Sequence, residues 1–251
     1  MHERDLVPVC GLAAVEALFA RDPGRVERLF FEPRFAAELA EPRRLLAQSR
    51  KPYREVAADE MARIAGTVRH GGVVAIARPR PLLPFEAKLA AGWARQGRPV
   101  VILDGVGNPH NLGAIIRSAA YFGIERAILA ERPEQALPSA ASYRIAEGAL
   151  ERVLLYRAKL PAALGALQRG GFRLVGTAPD RGMKLRDFRS DRPVAIVLGN
   201  EERGVDPATL AMCDAIVTIA GIGAVQSLNV AAAAAILLYA LTSASRPLRA
   251  C

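Results

Sequence analysis

The chain has 251 residues, 51% of them apolar, and its 34 Lys+Arg against 25 Asp+Glu give a formal charge of +9. That apolar content excludes an extended disordered polymer, and the length allows one large domain or two small ones, each with a core of its own. The basic excess, nearly all of it arginine because Lys51, Lys88, Lys159 and Lys184 are the only lysines, points to a polyanionic partner such as nucleic acid.

Helix-like and strand-like segments alternate along the chain. Residues 12–19 read as a helix, 26–31 as a short strand and 35–47 as a helix behind Pro33. Residues 53–56 form a weak strand, 59–64 a short helix and 72–77 a strand rich in β-branched residues. Residues 1–78 are therefore expected to make a small α/β domain. Pro79, Pro81 and Pro84 cannot occupy a helix interior or a central strand, so residues 79–97 are expected to be a linker ending in a helix over 85–95, which holds Trp93.

A second α/β domain is expected over residues 98–251. Its strands are placed at 100–103, 127–129, 153–156, 173–176, 195–198 and 215–219. They are apolar throughout rather than alternating, which is the pattern of parallel strands covered on both faces. Helices fall at 111–122, 160–168, 207–212 and 227–242. The charge divides as 16 bases and 12 acids over residues 1–97 (+4) and 18 and 13 over residues 98–251 (+5), so an RNA could touch both domains.

Cys10, Cys213 and Cys251 are too few and scattered for a disulfide framework, and His2, His70 and His110 are too dispersed for a structural zinc. The amino terminus has no apolar signal core, and the longest apolar run, residues 230–241, is shorter than the ~20 residues a membrane helix needs. A cytoplasmic, reduced protein without metal or membrane attachment is expected.

Ligands of open α/β sheets bind at the carboxyl ends of the strands, and three polar, glycine-containing segments lie there. The first runs from Asp104 through Gly105, Gly107, Asn108 and His110 to Asn111, a candidate helix cap, and Arg117. Its glycines at 105, 107 and 113 miss the G-x-G-x-x-G spacing, so a dinucleotide fingerprint fails. The second is Leu198-Gly199-Asn200-Glu201-Glu202-Arg203-Gly204-Val205. In the third, Ile219 to Val230, a glycine loop leads into a helix that Ser227 is placed to cap, with Asn229 in its first turn.

In order and spacing, N-P-H-N-L-G-A-I-I-R-S-A, V-L-G-N-E-E-R-G-V and S-L-N-V-A resemble the three signature motifs of the SpoU (TrmH-type) RNA 2′-O-ribose methyltransferases of the SPOUT superfamily. Residues 1–78 look like the ribosomal-protein-like substrate-binding domain often fused ahead of it, with His70-Gly71-Gly72-Val73-Val74-Ala75 resembling that domain's end. The resemblance implies a parallel-sheet domain with a deep trefoil knot at its carboxyl end, a homodimer, and S-adenosylmethionine held by Thr177, Leu198, Gly199, Asn200, Gly204, Ile219, Ser227 and Leu228. It also implies a catalytic set of Asn111, Arg117, Glu201, Ser227 and Asn229. The ribose 2′-hydroxyl is a poor nucleophile at neutral pH. The residue matching Arg117 is the family's proposed activator, either as a base helped by a neighbouring group or by stabilising the developing alkoxide. Two positions depart from the motifs: Ala220 replaces a proline and Ala231 a serine. The expected activity is ribose methylation of ribosomal RNA, 23S above all, with a tRNA enzyme or a silent RNA-binding assembly factor as the alternatives.

Overall fold

The computed structural model describes residues 6–223 and 225–243. His2 and Cys251, named above, and residue 224 of the third polar segment lie outside them. The described chain forms two compact units, one from residues up to 81 with 138–152 and the other from 82–137 with the described residues from 153 on.

In the first unit, β1 (Val7–Cys10), β2 (Val26–Phe31), β3 (Tyr53–Glu55) and β4 (Val73–Ala77) form a sheet in the order β1-β4-β2-β3. Strands β1 and β2 run antiparallel to β4, and β3 runs parallel to β2. Strand β1 is an addition to the expected elements, and as an edge strand it tolerates the donor that Pro8 lacks. Helices α1 (Leu12–Arg21), α2 (Ala40–Gln48) and α3 (Ala58–Ala65) bury Val15, Leu18, Leu46 and Met61. The helix expected over 35–47 is broken: a 3-10 turn at Pro33–Phe35 precedes α2.

Residues 138–152 also belong to this unit, which revises the expected boundary. Their amphipathic helices share its interior through a buried pair, in which Arg25 Nη2 meets Glu151 Oε1 at 2.5 Å. The Tyr143 hydroxyl accepts from Arg25 Nη1 at 3.4 Å and from the Arg80 amide at 2.9 Å. Burial lowers the affinity of Arg25 for its proton, but Glu151 and Tyr143 outweigh it and hold the guanidinium above its ordinary pKa.

The second unit is built on a sheet that, among the described residues, has eight strands, all parallel to their neighbours. They are β5 (Leu83–Pro84), β6 (Val100–Asp104), β7 (Arg126–Ala130), β8 (Leu154–Ala158), β9 (Arg173–Thr177), β10 (Met183–Lys184), β11 (Val194–Gly199) and β12 (Ala215–Thr218). The order is β10-β12-β9-β11-β6-β7-β8-β5. Strands β6 and β11 are buried along their whole length, as continuous apolar runs require.

Much of the segment expected as a linker is core of this unit. Strand β5 closes one sheet edge, and α4 (Leu89–Arg95) buries Ala90 and Trp93. The Trp93 ring meets Tyr156 edge-on at 4.9 Å between centroids. The proline count misled here because Pro84 stands in an edge strand, where no ladder donor is lost. Helices α5 (Pro109–Tyr121), α8 (Leu160–Arg169), α9 (Pro207–Ala211) and α10 (Val230–Ser243) complete the unit; α6 (Ala140–Ala146) and α7 (Ala149–Arg152) are those of the first. No helix among the described residues is long and apolar enough to cross a membrane.

Candidate active site

Strands β12, β9, β11 and β6 are neighbours and parallel, so their carboxyl ends lie side by side. The register sets Val217 beside Thr177, Val197 beside Gly176, and Gly199 beside Asp104. All three polar segments leave the sheet at this edge.

The first begins at Gly105, whose φ of +81° suits a residue without a Cβ. Asn108 then caps α5: its backbone is extended and its Oδ1 accepts from the His110 amide at 2.8 Å. Pro109 follows at the first helical position, where a missing N–H costs nothing. This corrects the expectation that Asn111 is the cap. The Asn-Pro dipeptide at 108–109 is itself a helix-start signal that could have located the cap. Relieved of capping, Asn111 turns its carboxamide toward the second segment.

That segment closes on itself. The Asn200 amide donates to the Gly204 carbonyl and the Gly204 amide to the Asn200 carbonyl, both at 2.9 Å. A Cβ on Gly199 would overlap the backbone of Gly204 and Val205, so the turn needs glycine there. Asn200 Oδ1 accepts from the amides of Glu202 and Arg203, and its Nδ2 donates to the Gly105 carbonyl at 2.9 Å.

The third segment enters α10 at Val230, and Asn229 caps it, Oδ1 accepting from the Ala231 amide at 2.9 Å and the Ala232 amide at 3.3 Å. Ser227, the expected cap, is exposed two residues earlier. The backbone amides decide the matter: only Asn229 stands where its side chain meets the helix's unsatisfied N–H groups.

Glu201 joins the first two segments. Its Oε2 accepts from the Gly107 amide at 3.0 Å, and its Oε1 accepts from the Asn108 amide at 3.1 Å and from Asn111 Nδ2 at 2.8 Å. Asn111 Oδ1 in turn accepts from Asn229 Nδ2 at 3.1 Å, which brings in the third segment. Asn111 and Asn229 thus have their amide orientations fixed, because one oxygen must face the other's nitrogen. Partial burial pulls the Glu201 carboxyl upward, but the hydrogen bonds from Asn111, Gly107 and Asn108 prevail and hold it below the usual carboxylate range. It is an anion at neutral pH, and a structural acceptor.

Arg117 is exposed on α5, six residues past Asn111 and so about 240° round the helix. It leaves that helix on a different side from the Glu201 cluster. Among the residues expected around a cofactor, Leu198 and Gly199 are buried at the end of β11. Thr177 and Ile219 are half-buried, and the Thr177 hydroxyl donates to the Val197 carbonyl at 2.9 Å. Leu228 is exposed in the loop that precedes α10.

Residues 98–239 match the SpoU rRNA Methylase family. The chain belongs to this family. Residues 8–83 match a second family, RNA 2′-O ribose methyltransferase substrate binding. The 23S rRNA (guanosine-2′-O-)-methyltransferase RlmB of a Burkholderia species is 34% identical over 233 residues, 91% of this chain and 93% of that protein. The protein of the same name from Acinetobacter baylyi is 34% identical over 240 residues, 91% of this chain and 94% of that one. In fold, the chain is similar to the AdoMet-bound rRNA methyltransferase from Sinorhizobium meliloti, with a TM-score of 0.79 at 24% identity over 98% of this chain and 90% of that one. In this SpoU family member the methylase match runs unbroken through residues 138–152, although those residues pack with the first unit.

Sequence reading missed the polar groups behind the loops. Asp104 is buried and pairs with Arg132 Nε at 2.7 Å, and Arg132 Nη1 reaches Asp206 at 3.2 Å. Asp206 also caps α9, ahead of Pro207. An acid ending a hydrophobic strand was a signal for the first of these, since a buried carboxylate needs a partner.

Proposed function

We propose that this SpoU family member transfers a methyl group from S-adenosylmethionine to a ribose 2′-hydroxyl of ribosomal RNA, with 23S rRNA as the substrate. The observation that carries the reading is the Glu201–Asn111–Asn229 chain, which ties the three polar segments into one site at the strand ends. The names of the relatives supply the substrate class.

The residues present suit the cofactor. At Gly199 the backbone is packed so closely that a Cβ would overlap it, and Thr177, Leu198, Gly199 and Ile219 end three adjacent strands. With Asn200, Gly204, Ser227 and Leu228 they would hold S-adenosylmethionine, which supplies an electrophilic sulfonium methyl when bound. Glu201 keeps Asn111 oriented, Asn229 fixes the start of α10, and Ser227 contacts the ligands from the loop.

Arg117 stabilises the alkoxide that develops on the ribose oxygen. A guanidinium keeps its proton at neutral pH, and a fixed positive charge is the stronger device for a developing anion. Because Arg117 leaves α5 away from Glu201, we assign it to the site of a second copy in a homodimer. Exposed Tyr121, Ile236 and Tyr239 on α5 and α10 favour such an apolar contact. A trefoil knot around the 198–205 and 219–230 segments and a cytoplasmic location complete the proposal.

The test is ribose-methylation mapping of total RNA from wild-type and deletion cells. One lost site in 23S rRNA supports the reading, a lost tRNA site replaces its substrate, and an unchanged map overturns it in favour of a silent assembly factor.

A further inference from the structure

We propose that Gln135 is a positioning residue for the reaction, one that sets where the first loop holds the Glu201 carboxylate. The inference rests on the functional reading above. It starts from a buried polar group that the mechanism does not use. Gln135 follows β7 and is 5% exposed. Its Oε1 accepts from the Gly105 amide at 3.0 Å, and its Nε2 donates to the carbonyls of Val106 and Ala136 at 3.1 Å each. Three of the four bonds a carboxamide can make are therefore made, two of them to one short loop.

That loop lies beyond the end of β6, where sheet pairing no longer supports it. The peptide flanks of Gly105 are gripped from two sides: Gln135 takes its N–H, and Asn200 donates to its C=O. The Ala136 amide adds a bond to the Val106 carbonyl at 2.8 Å. The next amides along, those of Gly107 and Asn108, are the two that hold Glu201. A core position needing only bulk would take an apolar side chain. Here the carboxamide directs its bonds to the backbone of the loop that grips Glu201. The same segment reaches the second loop from its other end, through the 3.1 Å contact of Glu134 with Arg203. A site works only when its polar groups are held to within about half an ångström, and the shell behind them supplies that hold.

Gln135→Met keeps the volume and removes the three hydrogen bonds. The expected result is a kcat for RNA methylation lower by about tenfold, with KM for S-adenosylmethionine changed less than about twofold. Because Gln135 acts through Glu201, the substitution should cost less than about twofold in a Glu201→Gln background. Multiplicative losses in the double variant would overturn the proposal. Amide hydrogen exchange gives a readout independent of turnover: Gly107 and Asn108 should exchange faster in Gln135→Met while β6 and β11 stay protected. Unchanged exchange at those two amides also overturns it. If Gln135→Met does not fold, Arg203→Ala loosens the same segment from the exposed surface, and its smaller kcat loss must likewise vanish in the Glu201→Gln background. A wild-type protein that methylates no RNA sinks the functional reading alone, since the exchange experiment still decides the role of Gln135.

Discussion

Each of the two compact units contains an arginine held by carboxylates, and the two clusters differ in what surrounds them. In the first unit the Arg25 and Glu151 side chains are 7% and 1% exposed; Glu151 and Tyr143 of the 138–152 segment bond to Arg25, whose Nε also lies 3.5 Å from a half-exposed Asp22. In the second, Arg132 joins a fully buried Asp104 to an Asp206 that is about a third exposed, and the cluster stands behind loops whose own polar groups face outward. The buried Arg25–Glu151 bond holds a segment in place. The Arg132 cluster stands instead behind the candidate site, whose groups must stay near water if they are to meet a ligand. Charge alone does not separate the two, since residues 1–97 and 98–251 carry +4 and +5.

The largest effect is expected at Glu151. Glu151→Ala leaves the buried Arg25 with only the more distant, half-exposed Asp22 as a carboxylate partner, and denaturant unfolding should show a loss of up to about 3–5 kcal/mol. Replacing both partners by apolar residues of similar size should recover most of it. A single-variant loss below about 1 kcal/mol would mean that the pair does not hold the segment.

Arg117→Ala tests the other unit by activity rather than stability. Its kcat should fall by about 100- to 1000-fold, as when one transition-state donor is removed, with little change in melting temperature because the side chain is exposed. Full retention of kcat would remove Arg117 from the reaction.

Asn229 is expected to combine both kinds of role, since it caps α10 and bonds to Asn111. Asn229→Ala should cost about 1 kcal/mol through the lost cap and lower activity as well. Asn229→Asp keeps the acceptor for the Ala231 and Ala232 amides but loses the donor to Asn111, so stability should survive while activity falls. Equal damage from the two substitutions would show that the Asn111 contact does not matter.

The smallest effect is on pH dependence. Glu201 has a folded pKa below its ordinary value of 4.5. Its stabilising contribution is complete above that ordinary value and is lost as pH falls through the lowered folded one. Glu201→Gln should therefore flatten part of the acid limb of the unfolding curve. A limb identical to that of the wild type would contradict the hydrogen-bonded carboxylate.

Much of the fold was legible because its signals are local. The apolar runs at β6, β9 and β11 can only be strands covered on both faces, and the structure buries them so. The resemblance of the three polar segments to the SpoU motifs was legible for the same reason, since each motif is a contiguous string. The caps were misplaced by two or three residues because Asn108 and Asn111, or Ser227 and Asn229, are equally good capping residue types. Backbone conformation, not residue type, selects between them. The β5 edge was missed because a proline forbids a central strand but not an edge, and edge status is a property of the sheet.

By itself, then, the sequence determined two α/β domains, a buried parallel sheet and the identity of three motifs, all carried by residues within a few positions of one another. The tertiary structure alone decided that residues 138–152 fold with the first unit, and that Glu201 takes its hydrogen bonds from Asn111 while Asn111 takes one from Asn229. Those partners lie 90 and 118 residues apart. No periodicity spans such distances, and the pairing exists only because parallel strands deliver their carboxyl ends to one edge of the sheet.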